Sequence, residues 1–205
     1  MKKLIIIGAS GHGKVVADIA QKTNKYSEIC FIDDSPEVKE CMGYKVIGTC
    51  QDIEKWIPEA EFFVAIGNSY IRERMLDSLF EKQASIATLI HPHACIAEHV
   101  EIGLGTVVMA GVVINPDTKI GNGVIVNTSS SIDHDNIIED YCHVSVGAHL
   151  AGTIHMQKHT WIGAGAIVSN NIIICKECTI GAGAVVVKDI DEKGTYVGVP
   201  ARKMK

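Results

Sequence analysis

From Ile90 onward every sixth residue is aliphatic. The series runs Ile90, Ile96, Ile102, Val108, Ile114, Ile120, Val126, Ile132, Ile138, Val144, Leu150, Met156, Ile162, Val168, Ile174, Ile180 and Val186. An amphipathic helix repeats its apolar positions every three or four residues and a half-buried strand every two, so an unbroken period of six excludes both. Four residues after each aliphatic stands a small or β-branched side chain, among them Val100, Thr106, Val112, Thr118, Val124, Ser130, Cys142, Ala148, Thr160, Ala166, Cys178 and Ala184. Ile154 and Ile172 are larger members of this column, and Asn136 is its polar exception. A unit of six fits one short strand and one corner. Three units close a triangular coil of 18 residues, and coils stacked about 4.8 Å apart pair their backbones. Gly, Asn and Asp recur at the second place of the unit, where a turn is expected.

Residues 1–89 have a different rhythm. Lys3–Ile7 is a continuous apolar run, as in a buried parallel strand. Residues 13–22 carry Val15, Val16, Ile19 and Ala20 at helical spacing, and residues 69–82 carry Ile71, Met75, Leu76 and Leu79. Residues 28–32 and 62–66 read as further strands. The chain is therefore read as an α/β, Rossmann-like βαβ domain over 1–89, followed by a parallel β-helix over 90–205. Aromatics at 5% and 19 glycines suit such coils better than a helical bundle.

Charge and cysteine usage narrow the function. A net charge of −5 gives no basic field for nucleic acid. No stretch reaches the roughly 20 apolar residues of a membrane helix. Seven scattered cysteines fit reduced thiols and a cytoplasmic location rather than a disulfide framework. Cys175 and Cys178 form a C-x-x-C match, but the frame sends them to opposite sides of the wall.

Two groups of residues carry candidate chemistry. Gly8-Ala9-Ser10-Gly11-His12-Gly13 lies between the first strand and the first helix, where free N–H groups and close backbone approach suit a phosphate. Its spacing is not that of the dinucleotide fingerprint, which weakens a redox reading. Asp33 and Asp34 follow the second strand, where a carboxylate suits a sugar or base. The alternative is a tight turn beside a solvated acidic loop. The second group surrounds His134, which is flanked by Asp133 and Asp135. A carboxylate beside an imidazole orients it and raises its basicity. One coil later, at 134 + 18, stands Gly152, whose N–H suits a developing oxyanion. His143, His149 and His155 occupy the same place in successive units and so point to three faces, which argues against a metal triad.

The whole layout resembles the bacterial sugar acyltransferases of the hexapeptide-repeat group, of the sialic acid O-acetyltransferase and UDP-N-acetylbacillosamine N-acetyltransferase type. The resemblance rests on Gly8-x-x-Gly11-His12-Gly13, Asp33-Asp34, Ile66-Gly67-Asn68 with Arg72, Asn127-Thr128, His134-Asp135, the stretch His143 to Ala148, Gly152, and the Gly198-Val199-Pro200-Ala201 tail. It implies a left-handed β-helix and a homotrimer with acetyl-CoA, as co-substrate, between neighbouring helices. It further implies His134 as general base oriented by Asp135, and His143 and Gly152 beside the acetyl thioester. Ser10, Gly11, His12, Asp33 and Asn68 would hold a nucleotide-sugar, and no metal would be needed. The leading expectation is N-acetylation of a UDP-linked 4-amino-4,6-dideoxy sugar. O-acetylation of a sialic acid is the alternative within the class. A metal lyase of the γ-carbonic anhydrase kind, a dinucleotide-dependent oxidoreductase and a non-catalytic nucleotide-binding scaffold are the alternatives outside it.

Overall fold

A computed structural model describes residues 2–204. It divides into two compact units between Pro92 and His93, close to where the sequence changes its period.

The first unit is a parallel sheet with helices. Its elements are β1 (Lys2–Ile7), α1 (Gly11–Lys22), β2 (Tyr26–Ile32), β3 (Glu40–Cys41), β4 (Tyr44–Lys45), β5 (Ala60–Val64), α2 (Ser69–Glu81) and β6 (Ser85–Ile86). The main sheet has the order β2-β1-β5-β6, with every pair parallel. The chain leaves β1 for one neighbour and later returns to its other side, so a crevice opens at the carboxyl end of β1. The apolar run Leu4–Ile7 is fully buried there, facing Phe31, Ile32, Phe62 and Phe63. Three features escape the sequence reading: the β3–β4 hairpin, strand β6 and a 3-10 helix over Cys50–Trp56. Each is too short to display a period. The apolar face expected of α2 is also partly wrong. Leu76 and Leu79 are buried, but Ile71 is exposed and Arg72 takes a place inside.

The second unit is a three-sided parallel β-helix. Residues 18 apart pair along each wall: Val108 with Val126 and Val144 on one, Ile114 with Ile132 and Leu150 on the next, Ile120 with Ile138 and Met156 on the third. From Val108 to Val186 every member of the aliphatic series is buried. So are the small residues four places later, including Thr106, Ser130, Asn136 and Cys142. Burying each Val or Ile side chain contributes roughly 1.5–3 kcal/mol. The expected tail residues Tyr196–Lys203 fold back on themselves, with Tyr196 opposite Lys203 in an antiparallel pair.

The corners differ from the sequence expectation. The left-handed backbone recurs every six residues from His99 to Glu177 and Gly183, three places after the aliphatic, not one. Glycines one place after the aliphatic serve another need. A Cβ on Gly163 would lie 2.6 Å from the Ile180 carbonyl oxygen and 2.7 Å from the Ala182 nitrogen. Such a glycine lets the coils stack. Gly165 is a true corner at φ 65, with open space around it.

Cys175 and Cys178 also depart from expectation. Cys178 is buried, but the two sulfurs lie 3.5 Å apart. Glu177 stands between them in the left-handed conformation, φ 61, and its corner folds the two side chains toward each other.

These two kinds of glycine separate in a melting experiment. Gly163→Ala is expected to cost about 1–3 kcal/mol because the backbone of the next coil, at Ile180 to Ala182, cannot yield. Gly165→Asn, at a position Asn tolerates, is expected to stay within about 0.5 kcal/mol of the parent. Denaturant midpoints of the two variants decide the matter, and equal losses would remove the distinction.

Candidate active site

His134 sits at a corner of the β-helix, directly after Ile132 and Asp133. Its side chain is 56% exposed, and Nδ1 lies 2.7 Å from Oδ2 of Asp135. A carboxylate accepting from Nδ1–H fixes the tautomer and leaves Nε2 as a proton acceptor. The hydrogen bond to Asp135 raises the imidazole above its usual value, Asp133 adds to the rise, and partial burial opposes it. Asp133 is held on its own account. Its Oδ1 accepts from Asn115 Nδ2 at 2.7 Å and from the His134 N–H at 2.9 Å, which lowers its pKa.

Gly152 lies against this ring, as the step of 18 requires. A Cβ there would stand 2.6 Å from His134 Cε1 and 2.7 Å from Nε2. Only glycine leaves room for the imidazole in this position. His143 is on another wall. Its Nε2 is 3.2 Å from the Asn127 amide nitrogen, and its ring stacks on Trp161 at 5.6 Å between centroids and 1° between planes. Trp161 Nε1 donates to Ser145 Oγ at 2.5 Å, and the indole is half exposed.

The other histidines are dispersed. His143, His149 and His155 lie in strands of three different sheets. His149 Nδ1 is 2.8 Å from Ser131 Oγ, and His155 Nε2 is 2.7 Å from Glu139 Oε1. Among the described residues no three His, Cys, Asp or Glu side chains gather as a metal site would require.

The first unit brings together the residues expected for a nucleotide-sugar. The loops after β1, β2 and β5 meet at the carboxyl end of the sheet. Gly8 has φ 105, and a Cβ on Gly13 would lie 2.2 Å from the Gly8 carbonyl oxygen. The fold thus demands both glycines. It makes no such demand at Gly11, which is exposed with nothing near its Cβ position. Ser10 precedes α1 without capping it through its side chain. Asp33 Oδ2 accepts from the Ala9 N–H at 2.7 Å and Oδ1 from the Ser35 N–H at 2.9 Å, so this carboxylate shapes the glycine loop. Asn68 caps α2, its Oδ1 accepting from Tyr70 and Ile71 N–H at 3.1 Å each. Arg72, 1% exposed, donates from one guanidinium nitrogen to the carbonyls of Ile66 and Gly67 at 2.8 and 2.9 Å. Burial, aided by the Arg72 charge, pushes His12 down to about 4. His12 is therefore neutral near pH 7 and offers hydrogen bonds, not a positive charge.

Two residues of this arrangement escape a local reading, Asn115 and Trp161. Each stands one coil from a residue already singled out, Asn115 at 133 − 18 and Trp161 at 143 + 18. Thr118 donates to the Asp133 carbonyl at 2.8 Å.

Known proteins resemble this chain in sequence and fold. The model of the PglD N-terminal domain family matches residues 3–79. The acetyltransferase domain of PglB from Neisseria gonorrhoeae, solved in complex with acetyl coenzyme A, superposes with a TM-score of 0.95 at 37% identity over 99% of both chains. PerB from Caulobacter crescentus, solved with CoA and GDP-perosamine, gives a TM-score of 0.93 at 31% identity, covering 100% of this chain and 98% of that one. A UDP-N-acetylbacillosamine N-acetyltransferase from Bacillus subtilis is 35% identical over 115 residues, spanning 54% of this chain and 52% of that protein. The chain thus matches about half the length of that curated relative.

The opposed histidine environments are measurable directly. Imidazole resonances followed by NMR are expected to show His134 titrating above about 6.5, the free value, and His12 uncharged down to about 4. Asp135→Asn should return His134 toward the free value. A wild-type titration at or below it would refute the assigned pair.

Proposed function

Because the chain belongs to the bacterial sugar acyltransferase family of hexapeptide-repeat proteins, of the UDP-N-acetylbacillosamine N-acetyltransferase type, we propose that it transfers an acetyl group from acetyl-CoA to a nucleotide-linked amino sugar. The leading acceptor is a UDP-linked 4-amino-4,6-dideoxy sugar. The observation that carries the reading is the His134–Asp135 pair packed on Gly152. An amine acceptor is favoured over the hydroxyl of a sialic acid because the matched relatives are named for amino sugars.

The free amine attacks the thioester carbonyl and forms the C–N bond. Neutral His134 takes the released proton on Nε2, and Asp135 stabilises the imidazolium. The tetrahedral oxyanion is held by the N–H of Gly152. The C–S bond then breaks, and the imidazolium proton goes to the leaving thiolate, giving the amide and free coenzyme A. His143, stacked on Trp161, borders the thioester. Ser10, Gly11, His12, Asp33 and Asn68 form the nucleotide-sugar loop cluster. Asp33 and Asn68 act there mainly by shaping loops, since their side-chain oxygens already accept backbone N–H groups. Alignment of two bound substrates supplies much of the rate.

The working form is a homotrimer with each site completed by a neighbour. Exposed aliphatics on the outward faces, Val113, Ile137, Ile167 and Ile173, support this, being apolar surface that association would cover. The location is cytoplasmic. All seven cysteines are free thiols, and no helix among the described residues is long and apolar enough to cross a membrane.

Thiol release from acetyl-CoA, with a UDP-4-amino-4,6-dideoxy sugar as acceptor, tests the reading. The wild type is expected to release coenzyme A, and His134→Ala to lose roughly 10²–10⁴-fold in kcat. The base must be neutral, and its pKa is raised, so activity falls as pH drops through a value above about 6.5. Equal release by both proteins would move the base elsewhere. No release with any amino-sugar nucleotide would reject the activity.

A further inference from the structure

Asn136 is the one amide in an inward column otherwise filled by Val, Ile, Ala, Cys, Ser and Thr. It is completely buried. Packing does not require it, since a buried amide is tolerated only when its hydrogen bonds are made. They are all made. Nδ2 donates to the Asp133 carbonyl at 2.6 Å and to the Ala151 carbonyl at 2.9 Å, and Oδ1 accepts from the Ile154 N–H at 3.0 Å.

Other polar members of the column do less. Thr106, Thr118 and Thr160 each donate to the carbonyl fifteen residues ahead, that of Gly121, Asp133 and Cys175 at 2.8, 2.8 and 3.0 Å. The bond from Asn136 to Ala151 is the same staple. The bond from Ile154 has a counterpart at Thr106, which accepts the Val124 N–H at 3.0 Å, and the bond to Asp133 has one at Ser130, which donates to the Asn127 carbonyl at 2.8 Å; Asn136 combines all three. Together they clamp two corners at once: Asp133–Asp135 below, and the Gly152–Thr153 corner, bracketed by Ala151 and Ile154, above.

We propose that Asn136 is a positioning residue for acyl transfer, its buried amide fixing the seat of the His134–Asp135 pair against Gly152. This rests on the acyltransferase reading of His134. Asn136 touches no substrate. It acts by holding the backbone on which the base and the oxyanion donor are carried, where displacements of an ångström cost large factors in rate.

Asn136→Thr is the decisive variant. Threonine occupies other places in the column and, as Thr106 does, keeps the staple and accepts the N–H eighteen residues on, but its single O–H cannot also donate to the Asp133 carbonyl. Melting temperature, kcat, KM for each substrate and the NMR titration of His134 are measured on the full chain, alongside Asn136→Ala and Thr160→Val. Asn136→Thr is expected to melt within a few degrees of wild type, to lose at least about tenfold in kcat with both KM values within about twofold, and to shift the His134 titration downward. Thr160→Val should lower the melting temperature while leaving kcat and the titration unchanged. Wild-type kcat and titration in Asn136→Thr would overturn the proposal. So would its failure to fold, or an equal kcat loss in Thr160→Val. If the wild type itself releases no coenzyme A, the acyltransferase reading fails, and an unshifted His134 in Asn136→Thr would separately refute the clamp.

Discussion

The stacking of residue i on residue i + 18 is the constraint on which the second unit depends. The three walls keep this register from the first coil to the last, apart from the tail. To hold it, the chain must turn by the same amount after every six residues. It does so with a left-handed residue at each corner, nine of them not glycine: His99, Asp117, Ser129, Asp135, Tyr141, Thr153, His159, Asn171 and Glu177. Each costs of order 1–2 kcal/mol for a side chain bearing Cβ. The backbone ladders and the buried aliphatic column offset that cost, and they do so only while the register is kept.

The candidate site is a consequence of the same corners. In an extended strand, successive side chains point to opposite faces, so neighbours such as His134 and Asp135 would not meet. At this corner Asp135 has φ 57, and its carboxylate swings back to the preceding imidazole. The stacking then brings Gly152 against the ring. A local turn makes the pair, and a coil-to-coil register seats it. Neither would suffice alone, because an exposed imidazole without the glycine above it has no fixed height over the wall.

Much of this is legible in the sequence because a period repeated over many units averages out exceptions. The inward columns, the triangular coil and the stacking of Gly152 on His134 all follow from counting. The corner position does not, because glycine recurs for two different reasons. Gly163 relieves crowding between coils, whereas Gly165 supplies a positive φ, and a sequence shows the same letter for both. The face of α2 misleads for a different reason. Arg72 is drawn inside by the carbonyls of Ile66 and Gly67, which no helical wheel contains, and Ile71 is left outside. Asn115 and Trp161 are hidden because their partners are distant along the chain and near only through the coil.

Burial and charge act oppositely on the two histidines that matter most. His12 is enclosed beside the Arg72 guanidinium, so its protonated form loses both solvation and electrostatic favour. His134 is open to solvent with carboxylates on either side, so its protonated form gains. His12 stays neutral above about pH 4, while His134 holds its proton to a higher pH than a free imidazole. Under the proposed function, ligand capture at the glycine loop would therefore not inherit a pH response from His12, whereas proton transfer at the β-helix corner would inherit one from His134. The same carboxylate that fixes the tautomer and strengthens the base also reduces the fraction that is neutral near pH 7. Asp135 thus trades readiness for basicity, and its distance from Nδ1, set by a left-handed corner, determines the balance.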